Sequence, residues 1–595
     1  MNNFTSSIKV FFGANEFTNN SAVIAEFEYD KSTWPPENKN AISKKIEMVF
    51  TEVYSGISDQ SEQLNIDNFE SFITALTDHL LSVKALLETP SRIVQKEGKY
   101  YLIIDDFYNP NAIVSVFSIV FLFLNFLHNK ENISFDKFYP QILQYLKNLY
   151  YQSPQRLISS MLNAAKNINL PIYPVDHSTF LYGYGQGKNS IIFDHGCSQY
   201  NSHIGGKFQK NKFVTTRILK TLGFPVTEQI AAFTLEECLS AAEKLGYPVV
   251  VKPPEETKGK GISTNIRNAN KLRHAFQLAK KSTKDVVIVE NHVDGDDHRI
   301  NIVNGEIFFI TKRMIPFIIG DGKSSIKSLI DAENERRISL EKDNLFYRKI
   351  KLDQELINFL NISGLTPEDV LPNGEKLPLR EVANMSHGGT KEFIDPTDMH
   401  PDNHTMVKDL VKYFRLDSVG LDFITTDITK SWREAGSIVE INTSPMINEF
   451  MAEKFLLTSF NEKNQGRIDS LLVLSDNEEK AEKIYKDIKT KYECPAYISS
   501  DQISINDIDK NIGKESIRQK CVRTLLHPEC DFVLVNLNIK HVLNKGLPID
   551  RFSKIYIDNS FADDEYMLAK LEENSNKATT LQNWLKNHCD TCELI

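Results

Sequence analysis

Cysteine is scarce. The 595 residues hold seven: Cys197, Cys238, Cys494, Cys521, Cys530, Cys589 and Cys592. An odd, scattered set excludes a disulfide framework and points to a reduced, cytoplasmic setting. Basic charge is also short. Lys and Arg number 69 against 79 Asp and Glu, a formal net charge of −10. That balance argues against a dedicated nucleic-acid partner, while leaving room for a local basic channel. The one notable apolar run, Ala112–Leu127, is 16 residues long and carries Ser115, Ser118 and Asn125. A bilayer span needs about 20, so the run predicts a buried helix and no membrane partner. Met1–Lys9 is polar with no apolar segment behind it, and no secretory signal is expected. Internal repeats and low-complexity linkers are absent as well.

What is present is length and ordinary globular composition, 41% apolar and 25% charged. A chain of this size exceeds one core, since single domains usually run about 100–200 residues. The patterning predicts a multidomain α+β and α/β protein with three regions. Residues 1–165 offer strands at Ile8–Phe12, Ala22–Tyr29 and Tyr100–Ile104, then helices through Asp136–Asn169. Residues 166–460 alternate short β-branched runs with helices and glycine turns. Val249–Lys252 and Val287–Glu290 read as buried strands. Asn304-Gly305 marks a hairpin, and Leu235–Leu245 is a helix stopped by Gly246. Residues 466–595 alternate strand and helix as a small α/β unit. His588 and Cys589-x-x-Cys592 read as two thiols on a frayed tail, because no second Cys/His pair lies near them in sequence.

The strongest chemical signal is Asp422 followed by Glu440 and Asn442. Gly420–Ile424 and Ser437–Asn442 are strand-like, joined by a polar stretch that suits a hairpin loop. As antiparallel neighbours they would place all three side chains on one face. Two carboxylates and an amide oxygen are hard ligands of the kind Mg²⁺ takes. Lys252 ends an apolar strand and Lys212 precedes a helix; each can meet nucleotide phosphate as a point charge. Lys258-Gly259-Lys260-Gly261 is glycine-rich enough for backbone N–H groups to approach phosphate, but it is no Walker loop. Glu290 ends a strand and Asp297 follows seven residues on. Such a segment can bond adenine through backbone and ribose through a carboxylate.

This order of residues resembles the ATP-grasp fold, and several strings are similar to the cyanophycin synthetase family. They are Phe180–Gly185, Tyr247–Pro253, Val287–Arg299, Ile319–Ile326, Arg380–Gly389 and Gly420–Asp427. The resemblance implies an ATP-dependent carboxylate–amine ligase that forms an amide through an acyl phosphate, with ATP and Mg²⁺ as cofactors. It implies phosphate contacts at Lys212 and Lys252, a covering loop at Lys258, Gly259 and Gly261, and a mobile lid over about 215–290. Glu290 and Val293 would mark the adenine hinge and Asp297 the ribose. Arg313 would contact the transferred phosphate, and with Lys252 forms the catalytic pair. Asp422, Glu440 and Asn442 would hold Mg²⁺, and the Asn384–Gly389 loop would line the acyl-phosphate site. Substrates would be a small molecule or peptide with a free carboxylate, plus an amine acceptor. Homo-oligomers are usual in the family.

The carboxyl-terminal region departs from that family. A Mur-ligase-like domain with a glycine-rich phosphate loop is expected there, yet Ser475-Asp476-Asn477-Glu478-Glu479-Lys480 occupies the position. Without glycines the backbone cannot wrap phosphate, and the added glutamates repel it. Asn536 replaces an acidic residue of the following strand. A shortened Mur-like domain without catalysis, serving packing or dimer contacts, is the expectation. One active site suits a family type that joins preformed β-aspartyl-arginine units into polymer. The alternatives are a ligase making a short peptide or natural product, and a catalytically dead scaffold.

Overall fold

The computed structural model describes residues 7–595 apart from 16, 31–33, 35–67, 83–89, 106, 108, 128–134, 208–210, 255–260, 284–285, 342–347, 381–382, 384–386, 443, 446, 448, 461–465 and 562–580. The chain divides into two compact units, residues 1–194 with 448–595, and residues 195–447.

In the first unit, the amino-terminal part is an antiparallel sheet in the order Ser7–Phe11, Ala22–Phe27, Lys99–Asp105, Arg92–Lys96. Helices Phe69–Ser82 and Pro110–Leu127 pack their apolar residues on it, with Phe27, Phe72, Val116, Phe117 and Leu124 nearly sealed from solvent. The apolar run is thus a helix consumed by this core, and no helix among the described residues is long and apolar enough to cross a membrane. Helices Phe135–Gln152 and Arg156–Asn167 follow where the periodicity predicts them.

The carboxyl-terminal part is a seven-stranded sheet. Five consecutive strands, reaching one edge, are parallel: Pro495–Ile498, Phe532–Leu537, Asp469–Leu474, Phe552–Ile557 and Cys589–Leu594. Parallel strands are covered on both faces, which is why Phe532–Leu537 is buried at every position. The small α/β unit expected from the sequence is met. The frayed tail is not. Cys589–Leu594 is an edge strand, in register with Phe552–Ile557, and Cys589 and His588 are buried. A short segment reads as a tail because one edge strand has too few residues to show a period. All seven cysteines are free thiols.

The second unit is built on antiparallel sheets. One runs Ser263–Ile266, Val249–Lys252, Val287–Asn291, Gln229–Ala232. Helices Leu235–Leu245 and Ala269–Ser282 cover it, sealing Val249, Val251, Val287 and Val289. The first of these helices starts at a Thr234/Glu237 capping box and stops at Gly246, whose φ of 80° suits a residue without Cβ. The other sheet runs Thr390–Ile394, Glu306–Met314, Asp296–Val303, Val419–Thr425, Ser437–Asn442. Asn304 and Gly305, at φ 52° and 72°, close the predicted hairpin in the two-residue turn that favours this pair.

Candidate active site

The five-stranded sheet separates its chemistry by alternation. Ile300, Ile302, Ile310, Leu421, Phe423, Ile438 and Ile441 point into one core with helix Pro401–Phe414. The intervening residues face the other way, and they include a cluster of charged ones. Opposed residues in an antiparallel ladder share a face. The register sets Arg299 against Asp422 and Asp422 against Glu440, and it sets Asp297 against Arg313 and Arg313 against Lys391. Asn442 opposes Gly420, two residues along from Asp422 and Glu440, so it stands on that face too. The hairpin expected from the sequence therefore gathers Asp422, Glu440 and Asn442.

Asp422 is the hub. Arg299 Nη1 donates to its Oδ1 at 2.7 Å, and Arg313 donates at 3.1 and 3.2 Å to Oδ1 and Oδ2. Arg313 also donates to Asp297 Oδ2 at 3.0 Å. Burial alone would raise the Asp422 carboxyl; the two guanidiniums overcome it and hold the group below the usual carboxylate range. Arg313 is itself held above the usual arginine value, the two carboxylates outweighing burial. Burial raises Asp297 against the pull of Arg313, and Asp422 adds to the rise. Glu440 has weaker support: Lys212 Nζ lies 3.7 Å away. Burial raises its carboxyl despite that lysine.

Lys212 opens the helix Lys212–Thr221, whose amino end Asn211 caps. Burial lowers its ammonium, opposed by Glu440 and reinforced by Lys252. Lys252 lies on the four-stranded sheet and meets Glu290 Oε1 at 2.6 Å, both side chains 6% exposed. The second oxygen of Glu290 accepts from Thr227 at 2.8 Å and from Gln229 at 2.7 Å. The Glu290 carboxylate is thus consumed by protein donors, while the segment from Glu290 to half-buried Val293 keeps its backbone at the end of the strand. Gly261 sits at φ 70°, where a Cβ would come 2.9 Å from Ser282 Oγ. Lys258 and Gly259 lie outside the described residues, as does part of the Asn384–Gly389 loop. That loop is flanked by Arg380, whose guanidinium donates to Asp353 at 2.8 and 2.9 Å.

Two members of the face were not singled out from sequence. Arg299 shares its face with Asp297 at a spacing of two, a signal that strand alternation could have supplied. Lys391 pairs with Arg313 across strands nearly 80 residues apart, and nothing local marks it. Burial, with Arg313 and Arg299 nearby, pushes its ammonium down to about 8. Gly420 has a steric reason: a Cβ there would meet the Arg299 guanidinium at 2.3–2.5 Å.

The donor set fits a magnesium–polyphosphate. Asp422, Glu440 and Asn442 present hard oxygens, and a crowd of cations, Lys212, Lys252, Arg313 and Lys391, borders them. Among the described residues, Asp297 Oδ1 and Arg299 Nε are buried there with no hydrogen-bond partner, polar capacity that the described protein leaves over.

Residues 218–317 match the family described as D-ala D-ala ligase C-terminus. The cyanophycin synthetase of Crocosphaera subtropica is 35% identical over 267 residues, 44% of this chain and 30% of that protein. The cyanophycin synthetase of Synechocystis sp. is 29% identical over 387 residues, 62% of this chain and 44% of the relative. The glutathione biosynthesis bifunctional protein GshAB of Mannheimia succiniciproducens is 26% identical over 262 residues, 42% of this chain and 34% of its own length. The matches thus span less than half the length of these curated relatives. Over part of its length the chain is thus similar to cyanophycin synthetases, and over residues 218–317 to the D-ala D-ala ligase C-terminus family.

Proposed function

We propose that the chain is an ATP-dependent carboxylate–amine ligase with one active site, on the charged face of the five-stranded sheet. The observation that carries this reading is the pair Asp422 and Glu440, with Arg313 hydrogen-bonded to Asp422 and Lys212 beside Glu440. A carboxylate is a poor electrophile. In the proposed reaction a substrate carboxylate oxygen attacks the terminal phosphorus of ATP and ADP leaves. The amine then attacks the acyl carbonyl, inorganic phosphate departs, and the amine's proton goes to solvent. Lys212 and Lys252 hold nucleotide phosphates. Asp422, Glu440 and Asn442 hold Mg²⁺, which when bound neutralises charge on the transferred phosphoryl group. Arg313, already aimed across Asp422, supplies a planar donor pair to that phosphoryl group or to the substrate carboxylate. The Glu290–Val293 segment takes adenine through its backbone and Asp297 takes ribose. Lys258, Gly259 and Gly261 belong to the covering loop, within a lid over about 215–290, and the Asn384–Gly389 loop lines the acyl site.

Aspartate- and arginine-containing units, joined into cyanophycin-type polymer, are the substrates we favour. The supporting observation lies in the other unit. Asp476, Glu478, Glu479 and Asp558 line a cavity at the carboxyl ends of the parallel strands, where such sheets bind ligands. Four carboxylates there repel a nucleotide, leaving one ligase site, which suits the joining of preformed aspartyl-arginine units. We take the regions 1–165 and 466–595 as accessory domains, the chain as cytoplasmic, and the assembly as a homo-oligomer. The test is phosphate release by purified protein with Mg·ATP and a panel of aspartyl and aspartyl-arginine peptides. Release that depends on an amine acceptor, and is lost in Glu440→Gln, is expected. Release no greater than in that variant overturns the ligase reading. The length of the product separates polymer from short peptide.

A further inference from the structure

The parallel sheet has two ends with different chemistry. Its carboxyl end carries the acidic cavity. Its amino end carries Cys494, directly before the strand Pro495–Ile498, and the turn His527–Asp531, directly before the neighbouring strand Phe532–Leu537. There the Cys494 thiol, a ring nitrogen of His527 and a carboxylate oxygen of Glu529 all lie within 4.8 Å of one another.

The backbone holds these groups in place. Asp531 accepts the N–H groups of Glu493 and Cys494, each at 3.0 Å. The Asp531 N–H returns to the Cys494 carbonyl at 3.2 Å, and the Cys530 N–H closes the turn on the His527 carbonyl at 3.2 Å. Cys494 is 6% exposed, and among the described residues its thiol makes no hydrogen bond. The adjacent Cys530 thiol differs, donating to the Phe532 carbonyl at 3.3 Å. One carboxylate, a buried thiol and an imidazole thus converge on one point.

We propose that Cys494, His527 and Glu529 form a binding site for a divalent transition metal of the zinc class. Thiolate and imidazole together select zinc-like ions over magnesium or calcium. Metal–ligand bonds of about 2.0–2.3 Å place ligand atoms roughly 3.5 Å apart in a tetrahedron. The needed closure is on the order of 1 Å, within the reach of the Glu529 and His527 side chains. Binding converts the Cys494 thiol to thiolate and releases its proton to solvent. Three protein ligands leave the fourth position to water. The site joins the turn to a strand at the amino end of the sheet, away from the crevice at the carboxyl end, so its role is to clamp the fold. A second cluster of Asp353, Glu355 and His387 does not qualify. Arg380 already neutralises it, 2.8 Å from Asp353 and 3.0 Å from Glu355.

The test uses the full chain stripped of metal with chelator and titrated with Co²⁺. One equivalent is expected to bind with a thiolate-to-cobalt charge-transfer band, and one equivalent of Zn²⁺ to displace it while raising Tm. Cys494→Ser removes the band. His527→Gln and Glu529→Gln, on the exposed turn, weaken binding at least as much as the roughly 10–100-fold lost with a supporting residue. Cobalt uptake without the band, or zinc affinity unchanged in the two turn variants, overturns the site. Glu529→Gln is a surface change, so the answer stands even where Cys494→Ser fails to fold.

Discussion

Asp422 and Glu440 face each other across adjacent antiparallel strands, yet their surroundings push them in opposite directions. Asp422 carries two guanidiniums and sits below the carboxylate range; Glu440 has one lysine at 3.7 Å and sits above it. Carboxylates pulled apart in this way take different roles. Asp422 is the fixed charge around which the face is assembled. Glu440, held by one lysine, is the less firmly engaged of the two carboxylates.

Their substitutions should therefore part company. Asp422→Asn leaves Arg299 and Arg313 without their shared counter-charge and should cost about 3–5 kcal/mol in chemical unfolding. Glu440→Gln should change stability by less than about 1 kcal/mol. Both should abolish ATP-dependent turnover. Equal stability of the two variants would count against Asp422 as the hub.

Gly420 and Arg299 form a steric pair. A Cβ on residue 420 meets the guanidinium at 2.3–2.5 Å, so Gly420→Ala should displace Arg299 and loosen Asp422. The expected effect resembles that of Arg299→Met: Mg·ATP affinity falls roughly 10–100-fold, as for loss of a residue that orients a metal ligand. Calorimetric titration reads this directly. Wild-type affinity in Gly420→Ala shows that Arg299 does not position Asp422.

The Lys252–Glu290 pair is buried on both sides. Glu290→Ala strands the ammonium and two donors, with an expected loss of about 3–5 kcal/mol. The double change Lys252→Met with Glu290→Leu removes both charges and should recover much of that stability, but not nucleotide binding. Denaturant midpoints with nucleotide titration distinguish the two effects. A double variant no more stable than Glu290→Ala contradicts this account.

Lys391 supplies a pH signature. Its ammonium is pushed down to about 8 by burial and by Arg313 and Arg299. A depressed group contributes full stability above the unfolded lysine value of about 10.4, where both states are neutral. As pH falls from there through about 8, the unfolded chain takes the proton first, and stability is lost. Polyphosphate binding should reverse the penalty and take up a proton between pH 8 and 9. Titrations in buffers of different ionisation enthalpy measure that uptake, and Lys391→Met should abolish it. Uptake unchanged in the variant assigns the proton elsewhere.

Much of this was legible in the chain itself. Alternation set Glu440 and Asn442 on one face, since residues two apart on a strand must point the same way, and the hairpin pairing of the two strands adds Asp422 to it. The Asn304-Gly305 turn and the Gly246 cap set the ends of their elements through local backbone preferences. The acidic character of Ser475–Lys480, which lines a cavity with Asp558, was also visible in the sequence. Register across distant strands was not legible, because it depends on which strands pair. Only the folded sheet brings Lys391 beside Arg313, sets Arg299 on Asp422 and makes room for it over Gly420. The carboxyl-terminal strand and the Cys494–His527–Glu529 cluster are likewise products of tertiary pairing: their residues are brought together by parallel strands with long connections between them, a separation that local patterns do not encode.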